Sequence, residues 1–251
     1  MTGHVIVERR GAVLSATLNR PEKKNALTGA MYETLTEALA TASADADLAV
    51  VLFSGAGGVF TAGNDILDFA TRAQDPSAVE DSPGGQFIRA LARFDKPLIA
   101  AVEGNAVGVG TTLCFHCDLV YAAPSARFRM PFVDLGLVPE AGASMLAPLR
   151  FGQAKAAQYL LLGEAFDAET ARQIGFVNAV APAEDLFALA MQAAQALAQK
   201  PRAAMLATRR LMRGDREPLY AHMELELEAF AAAVRSPEAR KAFMAFLGKS
   251  K

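Results

Sequence analysis

The sequence predicts an α/β fold followed by a helical C-terminal part. Three observations carry this. Segments with the two-residue alternation of strands and segments with helical spacing follow one another in an irregular strand, strand, helix order. The short continuous apolar runs "LAVVLFSG" and "PLIAAVEG" have the pattern of strands covered on both faces. From about Pro182 the chain turns to Ala-rich helical sequence. The 251 residues, 52% hydrophobic and 21% charged, suffice for one large domain, 1–181, with a helical appendage, 182–251.

The elements follow in order. "HVIVER" and "AVLSATLN" alternate apolar and polar residues on either side of a turn at Gly11, predicting two strands. "NRPEKKNALTG" is a polar connection. Thr28 is a good N-cap, and Met31, Leu35 and Leu39 recur at i, i+4 and i+8, so an amphipathic helix follows. "LAVVLFSG" is the next strand. "TRAQDPSAVEDSPGG", residues 71–85, is polar and turn-rich, as a mobile surface loop would be. A helix "QFIRALARF", a buried strand "PLIAAVEG", a small-residue segment "NAVGVGTTL" and strands "DLVYAA" and "ARFRM" come next. "FVDLGLV" is apolar enough to carry the chain through the interior towards Glu140. "MELELEAF" alternates as a strand would, yet Met223, Leu227, Phe230 and Val234 fall at helical spacing, so a helix is predicted with Leu225 off the stripe. "SPEARKAFMAFLGK" is a last helix, capped by Ser236 with Pro237 in its first turn.

Composition excludes several classes of function. A formal net charge of -2 gives no basis for nucleic-acid or anionic-membrane partners. The N-terminus has no apolar signal core and no segment has the length of a membrane span, so a cytoplasmic protein is expected. Cys114 and Cys117 stand in "CFHC". Zinc would need two further ligands, but the other histidines, His4 and His222, have no paired spacing, so no metal site is predicted. Both cysteines read as buried structural residues at a helix end that runs into a strand.

Three segments invite a chemical reading. In "FTAGND", residues 60–65, Gly63 lets the backbone turn tightly, either as a plain turn capped by Asp65 or so that the Asn64 N–H points into a cleft. In "GNAVGVGTTL", residues 104–113, the third glycine of a dinucleotide fingerprint is absent. Glycines 104, 108 and 110 instead permit close backbone approach and free N–H groups for an oxyanion. In "LGLVPEAGAS", Glu140 has no Arg or Lys within nine residues on either side. It is either a loop residue facing water or a base in an apolar pocket.

In this order the segments resemble the enoyl-CoA hydratase/isomerase (crotonase) superfamily over nearly the whole chain. "NRPEKKNAL" resembles that family's first CoA-contacting stretch, which implies roles for Lys23, Lys24 and Ala26. "FTAGNDI" resembles its first oxyanion-hole motif, implying the Asn64 N–H in the hole and Gly63, Asp65 and Ile66 beside CoA. "KPLIAAVEGNAVGVG" resembles the second, implying the Val109 N–H. "RKAFMAFLGK" resembles the terminal helix, implying Lys249 at a neighbouring chain's CoA. For the lysines, simple solvated side chains are the alternative. The resemblance also implies a crotonase-like spiral of strand-strand-helix turns, a helical oligomerisation region, homotrimers or dimers of trimers, and an acyl-CoA thioester substrate with no separate cofactor.

Within the family, the pattern resembles the Δ3,Δ2-enoyl-CoA isomerase branch. Hydratases place two glutamates where this chain has Thr112 and Phe132, so both carboxylates that activate water are missing and these residues are left to line the acyl pocket. The isomerases use one glutamate in a "PE" after "LG", here Pro139 and Glu140. Val109 replaces the middle glycine of the hydratases, as in isomerases. Another crotonase reaction (hydration, thioester hydrolysis or a lyase step) and a non-catalytic acyl-CoA-binding or scaffold protein are the alternatives.

Overall fold

Alternation along the strands splits the interior into two layers. The structure, a computed structural model, describes residues 3–67 and 82–248. Its strands are β1 Val5–Arg10, β2 Val13–Leu18, β3 Val50–Gly55, β4 Leu98–Val102, β5 Asn105–Val107, β6 Leu119–Ala122, β7 Arg127–Arg129, β8 Phe166–Asp167 and β9 Ala179–Val180. Six form one sheet in the order β1-β2-β3-β4-β6-β9, parallel from β2 onward, with β1 antiparallel to β2. The other three form a small sheet, β5-β7-β8. Covered on both faces, β3 and β4 carry apolar side chains except for Ser54, which is bonded to Thr17, and so they read as nearly continuous runs.

Val51, Phe53, Leu98, Ala100 and Val102 face the main core, with the Gly29–Ala44 and Pro83–Arg93 helices. Val50, Leu52, Ile99 and Ala101 face the opposite way and meet Leu186, Ala190, Met191 and Ala194 of the Ala183–Ala198 helix. That first Ala-rich helix therefore covers the sheet. The later Glu217–Val234 helix returns to the main core through Met223, Leu227, Phe230 and Val234, while Leu225 is exposed. Thr28 accepts from the Met31 N–H, and Ser236 from the Ala239 N–H, as the caps predict. No helix among the described residues is long and apolar enough to cross a membrane.

Two expectations are corrected and one unassigned segment proves to be a strand. Pro83–Gly85 belongs to a helix rather than to the loop, because Ser82 accepts from the Gly85 N–H and Pro83 is preset for a first turn. The rest of that expected loop, 71–81, lies outside the described residues. Asn105–Val107 is a short strand, paired with β7 despite its small side chains. "FVDLGLV" does not run through the interior: Val133–Leu135 curls as a 3-10 turn at the surface, exposing Val133, with Asp134 paired to Arg129 at 2.9 Å.

Candidate active site

Two backbone segments lie side by side and end together. Thr61 pairs in parallel with Ala106, through Thr61 N–H to Asn105 O at 2.8 Å and Val107 N–H to Thr61 O at 3.0 Å. Three residues further along each segment come Asn64 and Val109, so the two lie at the same end of the pair. Neither N–H donates to a group among the described residues. At Asn64 the flanking groups are spent on Leu27, whose N–H reaches Gly63 O while its carbonyl accepts from Asp65 N–H. That leaves the Asn64 N–H on the far side. Val109 begins a short helix after Gly108, so its N–H has no intrahelical partner. Gly63 makes the close approach possible: a Cβ there would stand 2.9 Å from Val107 O, at φ +88°. The Tyr32 hydroxyl donates to Asn64 Oδ1 and holds that side chain.

Glu140 sits in a turn that reaches Thr112, three residues past Val109. Its carboxyl is only 8% exposed and accepts from the fully buried Thr112 hydroxyl at 2.5 Å. Burial pushes the carboxyl up from 4.5 to about 8; the Thr112 bond works against this and the charge of Glu226 adds to it. Glu140 is thus buried rather than facing water. The turn is unusual. Ala141 has φ +57° and Gly142 φ +74°, and the Ala143 N–H closes on Glu140 O at 3.0 Å. A left-handed alanine costs roughly 1–2 kcal/mol, so the surroundings must hold it.

Two buried groups do so. His116 Nε2 donates to Ala141 O at 2.8 Å, and burial holds its imidazole down at about 3, so the ring is neutral. From the other side Glu226 accepts from the Gly142 and Ser144 N–H groups at 2.6 and 2.9 Å. Neither residue stands out in the sequence as a site residue. The available signal for Glu226 is its place three residues after Met223, on the apolar stripe of its helix. For His116 it is the position between two cysteines, both of which are buried with thiols pushed up by desolvation. Among the described residues no three His, Cys, Asp or Glu side chains are grouped to hold a metal ion.

The remaining candidates lie on several segments of the fold. Lys23 and Lys24 are exposed on the turn after β2, and Ala26 is half-buried, its carbonyl accepting from Arg20 Nη1 at 3.1 Å. Lys24 also bonds through its carbonyl to Ala62 N–H, which brings the lysine turn against the Gly63 segment. Asn25, missed in the sequence, is the clamp: buried and left-handed, it donates to Ala56 O and Val59 O and accepts from the Arg20 N–H. Asp65 pairs with Arg20 at 2.6 Å and accepts from Leu67 N–H, so it caps and braces the turn. Ile66 packs on the main core. Phe132 is a buried core residue, and Thr112 is bonded to the carboxylate rather than serving only as a pocket wall. Lys249 lies outside the described residues.

Known proteins share this architecture. The enoyl-CoA hydratase/isomerase family matches residues 8–251. The chain belongs to that family. Rat enoyl-CoA delta isomerase 2 is 36% identical over 97% of this chain, which spans 63% of the rat protein's length. The 2,3-dehydroadipyl-CoA hydratase of Escherichia coli is 34% identical over 98% of this chain and 96% of its own. Among solved structures, Pseudomonas aeruginosa OdaA superposes with a TM-score of 0.92 and 44% identity, covering 97% of this chain and 98% of that one. This enoyl-CoA hydratase/isomerase family member is thus an enzyme that acts on acyl-CoA thioesters, and the family's chemistry needs no separate cofactor.

Proposed function

We propose that the chain is a Δ3,Δ2-enoyl-CoA isomerase with Glu140 as its single base. One observation carries this reading. The place where the resemblance puts a hydratase's water-holding carboxylate is taken by Thr112, whose hydroxyl is spent on Glu140. The other such place is taken by Phe132, buried in the core. In the proposed reaction the Glu140 carboxylate removes a proton from C2 of a 3-enoyl thioester. The electrons move onto the thioester oxygen, and the N–H groups of Asn64 and Val109 stabilise that dienolate. Glu140 then returns the proton at C4, leaving the double bond between C2 and C3. The same assignment puts the phosphates of CoA by Lys23 and Lys24. A KM that rises with salt and with Lys24→Glu checks that placement.

The decisive test is Glu140→Gln, which keeps the shape and cannot take the proton. Isomerisation of 3-enoyl-CoA should vanish while CoA-ester affinity changes little. The hydratase reading is supported by the E. coli relative, and the same samples test it. Hydration of 2-enoyl-CoA that equals or exceeds wild-type isomerisation would overturn the isomerase assignment.

A further inference from the structure

The left-handed turn after Glu140 is held by a helix from the far end of the chain. Leu219 and Met223 of the Glu217–Val234 helix press on Gly142 so closely that a Cβ there would stand 2.6 Å from Leu219 Cδ1. From the same helix Glu226 meets three donors: Gly142 N–H at 2.6 Å, Ser144 N–H at 2.9 Å and Ser144 Oγ–H at 2.5 Å. His222, one turn earlier, has its Nε2 2.7 Å from Ser144 Oγ and 3.7 Å from Glu226 Oε1. We propose that Glu226 is a positioning residue for the base: it fixes the turn that carries Glu140 and keeps a negative charge beside it. This rests on Glu140 being the base.

The chemistry of the donors explains why a carboxylate is there. Three donors converge on one side chain, and a carboxylate accepts at both oxygens where an amide accepts at only one. The cost is a charge on an apolar helix face, between Met223 and Phe230. That charge lies near a second buried carboxylate, and like charges oppose each other's ionisation. Burial is the larger cause of the raised Glu140 carboxyl, and Glu226 adds to it.

The other charged or titratable neighbours do not cancel Glu226. Thr112 bonds Glu140 and favours its ionised form, and His116 is neutral. Arg89, on the neighbouring Pro83–Arg93 helix, is paired with Glu224 at 2.6 Å, and Arg93 of that helix lies over Tyr220. Arg216, at the start of the Glu226 helix, stands ten residues before Glu226, about 15 Å along the helix axis. His222 is the titratable group that touches the Ser144–Glu226 pair.

The test uses the full chain labelled with carboxyl-13C glutamate, the Glu140 resonance being identified by its loss in Glu140→Gln. Glu226→Gln keeps the size and one acceptor but removes the charge. The Glu140 midpoint should then move from about 8 towards acid. The pH limb of kcat should move the same way. Glu226→Ala removes the acceptors as well and should lower kcat by on the order of tenfold to a hundredfold, with KM within about twofold. An unmoved Glu140 midpoint in Glu226→Gln overturns the proposal. So does a folded Glu226→Ala enzyme with unchanged kcat, and if that variant does not fold the Gln titration decides alone. The titration needs no turnover, so an active Glu140→Gln enzyme would sink the base assignment without obscuring this result.

Discussion

At the scale of residues, Glu140 combines two opposing influences. Burial holds its proton up to about pH 8, and the Thr112 hydroxyl pulls the other way. A base must be ionised to work, so kcat/KM should rise with pH and level off above about 8. Thr112→Val keeps the volume and removes the bond that favours the carboxylate, so the limb should move to higher pH and activity at pH 7 should fall. A pH–rate profile of both enzymes checks this, and a limb that stays in place or moves to lower pH removes Thr112 from the account. Glu140 was legible in the sequence because no cation stands near it along the chain and the ordered motifs surround it. Its partners were not. Thr112 was read as a pocket-lining replacement for a hydratase carboxylate, and Glu226 lies far along the chain on another helix, where spacing shows a buried position but not what it meets.

At the scale of elements, the pairing of residues 61–64 with 106–109 sets the distance between the two free N–H groups. Gly63 is the point of closest approach, with Val107 O in the space a side chain would need. Gly63→Ala should therefore push the segments apart and strain a positive φ as well. Loss of one well-placed oxyanion donor costs about 3 kcal/mol, so kcat should fall on the order of a hundredfold or more. Thermal unfolding run alongside separates this from simple destabilisation, and a variant with normal kcat would show that the N–H pair does not hold the oxygen. The elements themselves were largely readable: the parallel strands from their apolar runs, the caps at Thr28 and Ser236, and the 223–234 stripe. The misreading at Pro83–Gly85 has a local cause: Pro and Gly favour turns, and the Ser82 cap with Pro83 in the first turn overrides that preference.

At the scale of the molecule, the last helix bears on both fold and assembly. Ala239 and Phe243 are buried in the main core, and Gly136 packs against the Ala239 N–H, so the Pro237–Gly248 helix is tied to its own chain. Met244 beside them is 75% exposed. Elsewhere two adjacent pairs stand in water, Leu161 with Leu162 and Leu211 with Met212, the latter pair more than 80% exposed. A single exposed leucine is ordinary, but two adjacent exposed pairs, one in the turn after the Gln153–Leu160 helix and one on the Arg202–Arg213 helix, need an apolar cover. We propose another copy of the chain as that cover, and the resemblance implies three copies or a pair of threes. Light scattering at micromolar concentration should thus give a multiple of the 26.5 kDa chain. Replacing Leu211 and Met212 by glutamate should lower that order without unfolding the subunit, since neither side chain is in the core. Truncation after Ser236 removes Ala239 and Phe243 from the core and should instead lower stability or solubility. A stable, well-behaved wild-type monomer would refute the assembly and leave the exposed pairs without a partner.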